Sequence, residues 1–337
     1  MFFYAGFNVS PKITCSDNDR PIIDNFSEVK INNLSNITLG WNYFLVWKED
    51  SVFISEKYIN NCEEKKLSIP TSPLTKFSSA VTGKSSITLI SKDNKIWQYK
   101  LYSDKWNKVA NFTAKDEFIL KIDGTNENIC ALTNYGRIYN IPILLEMPTG
   151  NESKYIDMVC GFEHTLVLTN NGEVYSFGGG SRGQLGHNDL ENSDEPLLIE
   201  ALAGLKAVKV AAGGWHSAVI TSDKDLYTWG WNTNGELGLI GSEKVIAVPT
   251  IVDFYNEKEE RVEENVNVTD VACGNNFTIC QTDDGQLWGC GSNKYGQLGL
   301  SQSSIMSTDK FVRLNPKFNC KNIHYFNCRE WSTIINI

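Results

Sequence analysis

Cys160-Gly-Phe-Glu-His-Thr-Leu-Val-Leu-Thr-Asn-Asn-Gly-Glu-Val-Tyr-Ser-Phe-Gly178, followed by Gly183-Gln-Leu-Gly186, decides the fold, because the chain says it again. A second copy runs from Ala212-Gly-Gly-Trp-His-Ser217 through Tyr227-Thr-Trp-Gly230 to Gly235-Glu-Leu-Gly238. The offset is constant: His164 to His216 and Gly178 to Gly230 are both 52 residues. A third copy starts at Cys273-Gly274, passes Leu287-Trp288 and Gly291, and ends in Gly296-Gln-Leu-Gly299, displaced from the second by 61. The nine extra residues lie within Asp253 to Asn267. Periods of this size belong to solenoids, propellers or arrays.

Each copy has the grammar of a β-hairpin. Leu166-Val-Leu and Glu173-Val-Tyr-Ser-Phe alternate as strands do, and Asn170-Asn171-Gly172 between them is a tight-turn signal. Asp283-Asp284-Gly285 repeats that chemistry. Weaker copies precede these three. Gly40-Trp-Asn-Tyr43 leads to Phe53-Ile-Ser, Gly83 leads to Ile96-Trp-Gln-Tyr99, and Leu132 to Tyr139 mirrors Leu168 to Tyr175. A seventh copy is split between the termini. Cys328-Arg-Glu-Trp331-Ser-Thr-Ile-Ile aligns with Gly161-Phe-Glu-His164-Thr-Leu-Val-Leu, and Tyr4-Ala-Gly6-Phe-Asn8 supplies the partner strand by its match to Thr228-Trp-Gly230-Trp-Asn232. Closing the last blade with both ends of the chain removes open sheet edges.

The reading is therefore all-β: a seven-bladed propeller occupying residues 1–337 as one domain. Clear repeats cover about 155–300, divergent ones 1–140, and the split blade takes 1–10 and 323–337. Seven units of about 48 residues fill the length.

The Cys-Gly-x-x-His-Thr, Val-Tyr-x-Phe/Trp-Gly and Gly-Gln-Leu-Gly elements resemble the repeat of the regulator-of-chromosome-condensation family. That resemblance implies a protein-interaction propeller. The family's founding member is a chromatin-bound exchange factor for the small GTPase Ran, with a basic N-terminal tail. Here the first strand is expected within a few residues of Met1, leaving no room for such a tail. The compact form and the Gly6-Phe-Asn opening look more like the short, tail-less members, one of which partners a JmjC-type histone-modifying oxygenase. Three functions follow as alternatives: a non-enzymatic adaptor with such a partner, nucleotide exchange on a Ran-like GTPase, or direct engagement of histones.

Composition trims these. The formal charge is −9, from 40 acidic and 31 basic residues, which disfavours direct nucleic-acid binding. Met1 to Phe7 is too short for a signal peptide or a membrane span, so a nuclear or cytoplasmic protein is expected, free of membrane and monomeric. The nine cysteines form no Cys-x-x-Cys pair, and no cofactor or metal is expected.

Candidate chemistry is weighed against packing. His164 and His216 share one repeat position, where Tyr43, Phe277 and Trp331 are expected in other copies; a metal ligand would not tolerate that variety. Each is read as a structural residue that hydrogen-bonds the turn of its own blade. Gly178, Gly230 and Gly291, with Gly183, Gly235 and Gly296, are read as structural turn positions, and Gly178-Gly179-Gly180 as a blade turn without the helix that a phosphate loop needs. Trp229 and Trp288 are expected in the core. Trp215 and Trp231 neighbour rim turns and are candidates for partner contact. Two acidic groups join them: Asp189, Glu191, Asp194 and Glu195 after the first Gly-Gln-Leu-Gly turn, and Glu257, Glu259, Glu260, Glu263 and Glu264 in the inserted loop. A charge run is commonly only a solvated face, yet an insertion on a rigid scaffold is also where binding function is placed.

Overall fold

The hairpin that defines the repeat forms where its sequence places it. His164–Thr169 pairs antiparallel with Val174–Gly178, Leu168 opposite Val174 and His164 opposite Gly178. Gly172 takes φ +87° in the connecting turn, a conformation the Asn-Asn-Gly sequence is suited to supply. At the other end, Gly178 has φ +105°, and a Cβ there would lie 2.4 Å from the Glu163 carbonyl oxygen. The repeat glycine is thus needed both for backbone conformation and for close approach of two strands.

The computed structural model describes residues 1–8, 21–56, 64–110, 116–125, 128–146, 148, 153–255, 262 and 266–337. Its strands assemble into seven four-stranded antiparallel sheets, the blades of a seven-bladed all-β propeller. Blades 1 to 6 take residues 36–66, 77–110, 119–144, 155–198, 207–251 and 268–314, in simple meander order. Blade 7 has the order Ile22–Glu28, Phe2–Phe7, Ser332–Asn336, Tyr325–Arg329. Blades 1 to 3 form one compact unit of the chain, and blades 4 to 7 another.

In the first unit the eroded copies keep the turn geometry. Gly40 N–H donates to the Tyr43 carbonyl (3.0 Å) and Gly83 N–H to that of Ser86 (2.9 Å), as Gly161 N–H does to that of His164 (2.8 Å) in blade 4. Tyr43 is fully buried and its hydroxyl donates to the Gly83 carbonyl of the next blade (2.8 Å). Blade 3 buries a carboxylate, Glu117, which accepts from Thr133 Oγ1 (2.9 Å) and the Tyr139 hydroxyl (3.2 Å) and pairs with Arg137 (3.3 Å).

In the second unit the split blade is present. Phe2–Phe7 is bonded on both sides, to Ser332–Asn336 and to Ile22–Glu28. The outer strand Ile22–Glu28 was not anticipated. Tyr4 is fully buried, its hydroxyl 2.6 Å from Ser332 Oγ.

One alignment needs correction. Cys328 lies opposite Thr333, as Cys160 lies opposite Thr165, and Gly6 lies opposite Ser332, as Gly178 lies opposite His164. Ser332, not Trp331, therefore holds the repeat histidine position, and Trp331 is the counterpart of Trp215. In a strand a slip of one residue moves a side chain to the other face, so the consequence is large.

The histidines are buried, but their rings do not bond within their own blades. His164 Nε2 lies 2.9 Å from Ser217 Oγ of blade 5, and His216 Nε2 lies 2.9 Å from Thr278 Oγ1 of blade 6. Each hydroxyl donates onward, Ser217 to the Gln184 carbonyl (2.9 Å) and Thr278 to the Glu236 carbonyl (2.7 Å). The hydroxyl hydrogen being spent there, its oxygen must accept from the ring, which sets the Nε2–H tautomer. Burial pushes both imidazoles down to about 3, so they are neutral at physiological pH. The own-blade turn is already closed by backbone bonding, and the ring lies against it: a Cβ on Gly161 would meet His164 Cε1 at 2.2 Å. Thr333 of blade 7 completes the series by donating to the Gln297 carbonyl (2.7 Å). The acceptors Gln184, Glu236 and Gln297 occupy one position of the Gly-x-Leu-Gly turn, and their side chains accept from the backbone N–H groups of Arg182, Asn234 and Tyr295. The leucines after them, Leu185, Leu237 and Leu298, are buried.

Two predictions follow from these contacts. Deleting residues 1–8 removes a strand bonded on both sides, and should lower the melting temperature by roughly 10 °C or more or abolish cooperative unfolding; an unchanged melt would refute the role given to this strand. The second concerns Glu236, which is 1 % exposed and whose carboxyl burial pushes up to about 7. The folded state then holds a proton that the unfolded chain has given up. Stability should fall as pH rises from about 4.5 to 7, the ordinary and folded values, and the cost should be complete above that. Glu236→Gln, matching Gln184 and Gln297, should raise stability at pH 8 by on the order of 1–3 kcal/mol and change little at pH 4 to 5. Equal effects in melts at both ends of that range would rule the explanation out.

Candidate functional site

Strand direction decides which loops meet. In blade 4 the chain turns at 161–163, again at the opposite end at 170–172, and returns to the first end in the long loop 179–192. The equivalent segments of blades 5 and 6 therefore share that end, and so do Trp215, Trp231 and the first acidic group. Asn267 lies at the opposite end, its side chain donating to Asp283 Oδ2 (2.9 Å) in the Asp283-Asp284-Gly285 turn. Asn267, on the flank of the inserted segment, is thus remote from Trp215, Trp231 and the first acidic group. Glu257, Glu259, Glu260, Glu263 and Glu264 lie outside the described residues.

Trp215 and Trp231 come together around Arg182. The guanidinium carbon sits 4.2 Å from the Trp215 ring centroid and 5.6 Å from that of Trp231, a cation–π arrangement with two walls. Glu163 completes it, accepting from Trp215 Nε1 (3.2 Å) and lying 3.4 Å from Arg182 Nη1. Phe162 packs edge-on to Trp215, centroids 5.4 Å apart. Both indoles are half-buried. Trp229 and Trp288, by contrast, are in the core at 0 % and 2 % exposure. Asp189, Glu191, Asp194 and Glu195 are exposed, and none forms an ion pair with a described residue.

A second aromatic stack escaped the sequence reading. Tyr295, Phe7 and Trp331 converge with centroids 5.5 Å (Phe7–Tyr295), 5.6 Å (Tyr295–Trp331) and 6.4 Å (Phe7–Trp331) apart. They are the counterparts of Arg182, Trp231 and Trp215 two blades further on. The signal lay in the repeat register, hidden by the one-residue misalignment of Trp331.

The remaining candidates are structural in their surroundings. Gly178 ends a strand and Gly179-Gly180 open the loop to the next strand of the same blade, where a Cβ on Gly180 would strike the Glu191 carbonyl oxygen at 1.6 Å. His187 Nε2 is 2.9 Å from the buried Ser176 Oγ. Six of the seven described cysteines are buried, and all seven are free thiols. Among the described residues no cluster of His, Cys, Asp or Glu has the geometry of a metal site.

Comparison with known proteins agrees with this architecture. The model of the "regulator of chromosome condensation (RCC1) repeat" matches residues 171–220 and 223–281, and a second model of the same description matches 155–184, 207–236 and 268–297. RCC1 domain-containing protein 1 of Mus musculus is 32 % identical over 218 residues, 56 % of this chain and 57 % of that protein. The E3 ubiquitin-protein ligase HERC2 of Homo sapiens is 40 % identical over 164 residues, 48 % of this chain but 3 % of its own. The chain thus matches little more than half the length of the first relative and a small part of the second. Prp20p of Saccharomyces cerevisiae, described with its binding properties to Gsp1p and histones, superposes with a TM-score of 0.75 at 14 % identity, covering 99 % of this chain and 90 % of that one. The repeats of residues 155–297 are those of the regulator-of-chromosome-condensation family.

Proposed function

We propose that the protein is a non-enzymatic interaction scaffold whose docking surface is the face bearing Trp215, Trp231 and the exposed Asp189, Glu191, Asp194 and Glu195. The observation that carries this reading is the half-buried indole pair held around Arg182 on rigid inter-strand turns. Half-exposed Trp and Arg are the residue types that dominate binding energy at protein interfaces. The acidic rim favours a partner with a basic patch and speeds its association. The resemblance to the short, tail-less family members makes a JmjC-type chromatin-modifying oxygenase the first partner to test, in the nucleus or cytoplasm. Histones are the second: they are basic, and the structurally similar Prp20p is described as binding them.

The test is affinity purification of the full chain with mass spectrometry, alongside Trp215→Ala and Trp231→Ala. Losing one indole face on Arg182 should cost only about 1 kcal/mol of stability. Capture of a JmjC-type oxygenase should fall at least tenfold in either variant, a loss of about 1.4 kcal/mol or more in binding. An unchanged set of captured proteins, together with accelerated nucleotide release from a Ran-like GTPase, would replace the scaffold reading with exchange activity.

A further inference from the structure

The net charge of −9 conceals a stretch of the opposite sign. From Lys76 to Lys108 the chain carries seven lysines and two acids, a formal +5 that leaves −14 for all other residues. This stretch forms blade 2. Its two acids are already engaged, Asp93 by Lys95 and Asp104 by Lys65 of blade 1 (2.8 Å), while Lys76 (3.0 Å) and Lys92 (2.5 Å) share Asp50 of blade 1. Lys100 and Lys105 have no such partner: neither forms an ion pair or a side-chain hydrogen bond with a described residue. They lie directly opposite each other on the two outer strands, Ile96–Lys100 and Lys105–Ala110. Their side chains therefore leave the sheet on the same side, with Cβ atoms about 5 Å apart, and like charges placed so destabilise a sheet.

The next pair on that side is Asn107 opposite Gln98, whose Nε2 donates to Ser86 Oγ (3.3 Å). Lys105 and Asn107 are exposed, Lys100 and Gln98 half-buried, so these polar groups open to solvent. The other side of the two strands is spent on packing. Tyr99 and Trp106 lie with ring centroids 5.1 Å apart, and the Tyr99 hydroxyl accepts from Lys65 (2.9 Å) and donates to Asp104 (2.8 Å). Nor does the blade need a cation at Lys100. It lies opposite Ser86 as Gly178, Gly230 and Gly291 lie opposite His164, His216 and Phe277, so a long ammonium stands where blades 4 to 6 have the glycine of the repeat. A carboxylate near the two ammoniums would turn their repulsion into attraction, and the amides beside them offer further N–H donors. The −14 of the remaining chain opposes a long polyanion such as a nucleic-acid strand, whereas a short acidic segment touches this patch alone.

We infer that the side of blade 2 bearing Lys100 and Lys105, with Gln98 and Asn107, docks an acidic segment of a partner protein. This goes beyond the reading of the Trp215 face, from which it takes no residue.

The experiment uses the full chain and a fluorescein-labelled twelve-residue peptide with four glutamates among glycines and serines, read by anisotropy. A matched peptide with glutamines keeps the shape and removes the charge, and a strand of twelve thymidines stands for nucleic acid. The glutamate peptide should bind roughly tenfold or more tightly than the glutamine one, and the difference should shrink as salt rises. Lys105→Gln should weaken it about fivefold and leave the melting temperature unchanged or higher, because it removes a like-charge pair from the sheet. Lys100→Glu should abolish most of the binding. Lys317→Glu makes the same change of charge at an exposed lysine between blades 6 and 7, and should alter the affinity less than about twofold. Equal affinity for the two peptides, or equal losses in Lys100→Glu and Lys317→Glu, would overturn the site. A lower melting temperature in Lys105→Gln would make that lysine structural and overturn it as well. Tighter binding of the thymidine strand than of the glutamate peptide would put nucleic acid in place of the acidic partner and refute the inference.

Discussion

The hydrogen-bond relay between blades is the contact on which the second unit depends. A ring N–H of one blade donates to a hydroxyl of the next, and that hydroxyl donates to a carbonyl in the preceding blade's Gly-x-Leu-Gly turn. Each relay stitches two sheets at a buried point where an unpaired group would be costly. Hydrophobic packing between blades is not directional, and would allow neighbouring sheets to slide; three atoms in series do not. Serine, threonine and histidine at these positions thus specify register as well as contributing cohesion.

The relay also positions the surface. The carbonyl that receives it belongs to Gln184, Glu236 or Gln297, whose side chain in turn holds the N–H two residues earlier. Two of those residues, Arg182 and Tyr295, are the ones that stand between the aromatic rings of the candidate face. Core and surface are coupled through one residue of each turn. A carboxylate at Glu236 where the other turns have an amide keeps the acceptor but carries a desolvation cost, which makes the stability of this blade pair depend on pH.

Three equivalent sets of repeat positions on this face are chemically different, as repeat scaffolds allow. Repetition supplies rigid, equivalent positions, and substitution at a few of them makes one region unlike the rest. The first and third are closed by a cation and a ring from within the chain. At the second stand the short polar residues Asn234, Asn276 and Ser292. Family membership explains the positions; the local chemistry separates this chain's face from a generic propeller face.

By itself the sequence determined the repeat, the central hairpins and the family, because glycine spacing and two-residue alternation are local signals that survive even in eroded copies such as Gly40 to Ser55. It also placed Trp229 and Trp288 inside and the terminal strands in one blade. Outer strands were less legible: Ser193–Leu198 carries three acidic or hydroxyl residues at its start, and Ile22–Glu28 lacks the glycine signature, since edge strands pack on one side only and are under weaker constraint. Only the tertiary structure decided the partners of His164 and His216, which are 53 and 62 residues distant. Only it placed Trp331 beside Phe7 and Tyr295 and moved the inserted loop's flank to the far face. Those outcomes depend on which side chains face each other across separate sheets, and no period along a single chain encodes that.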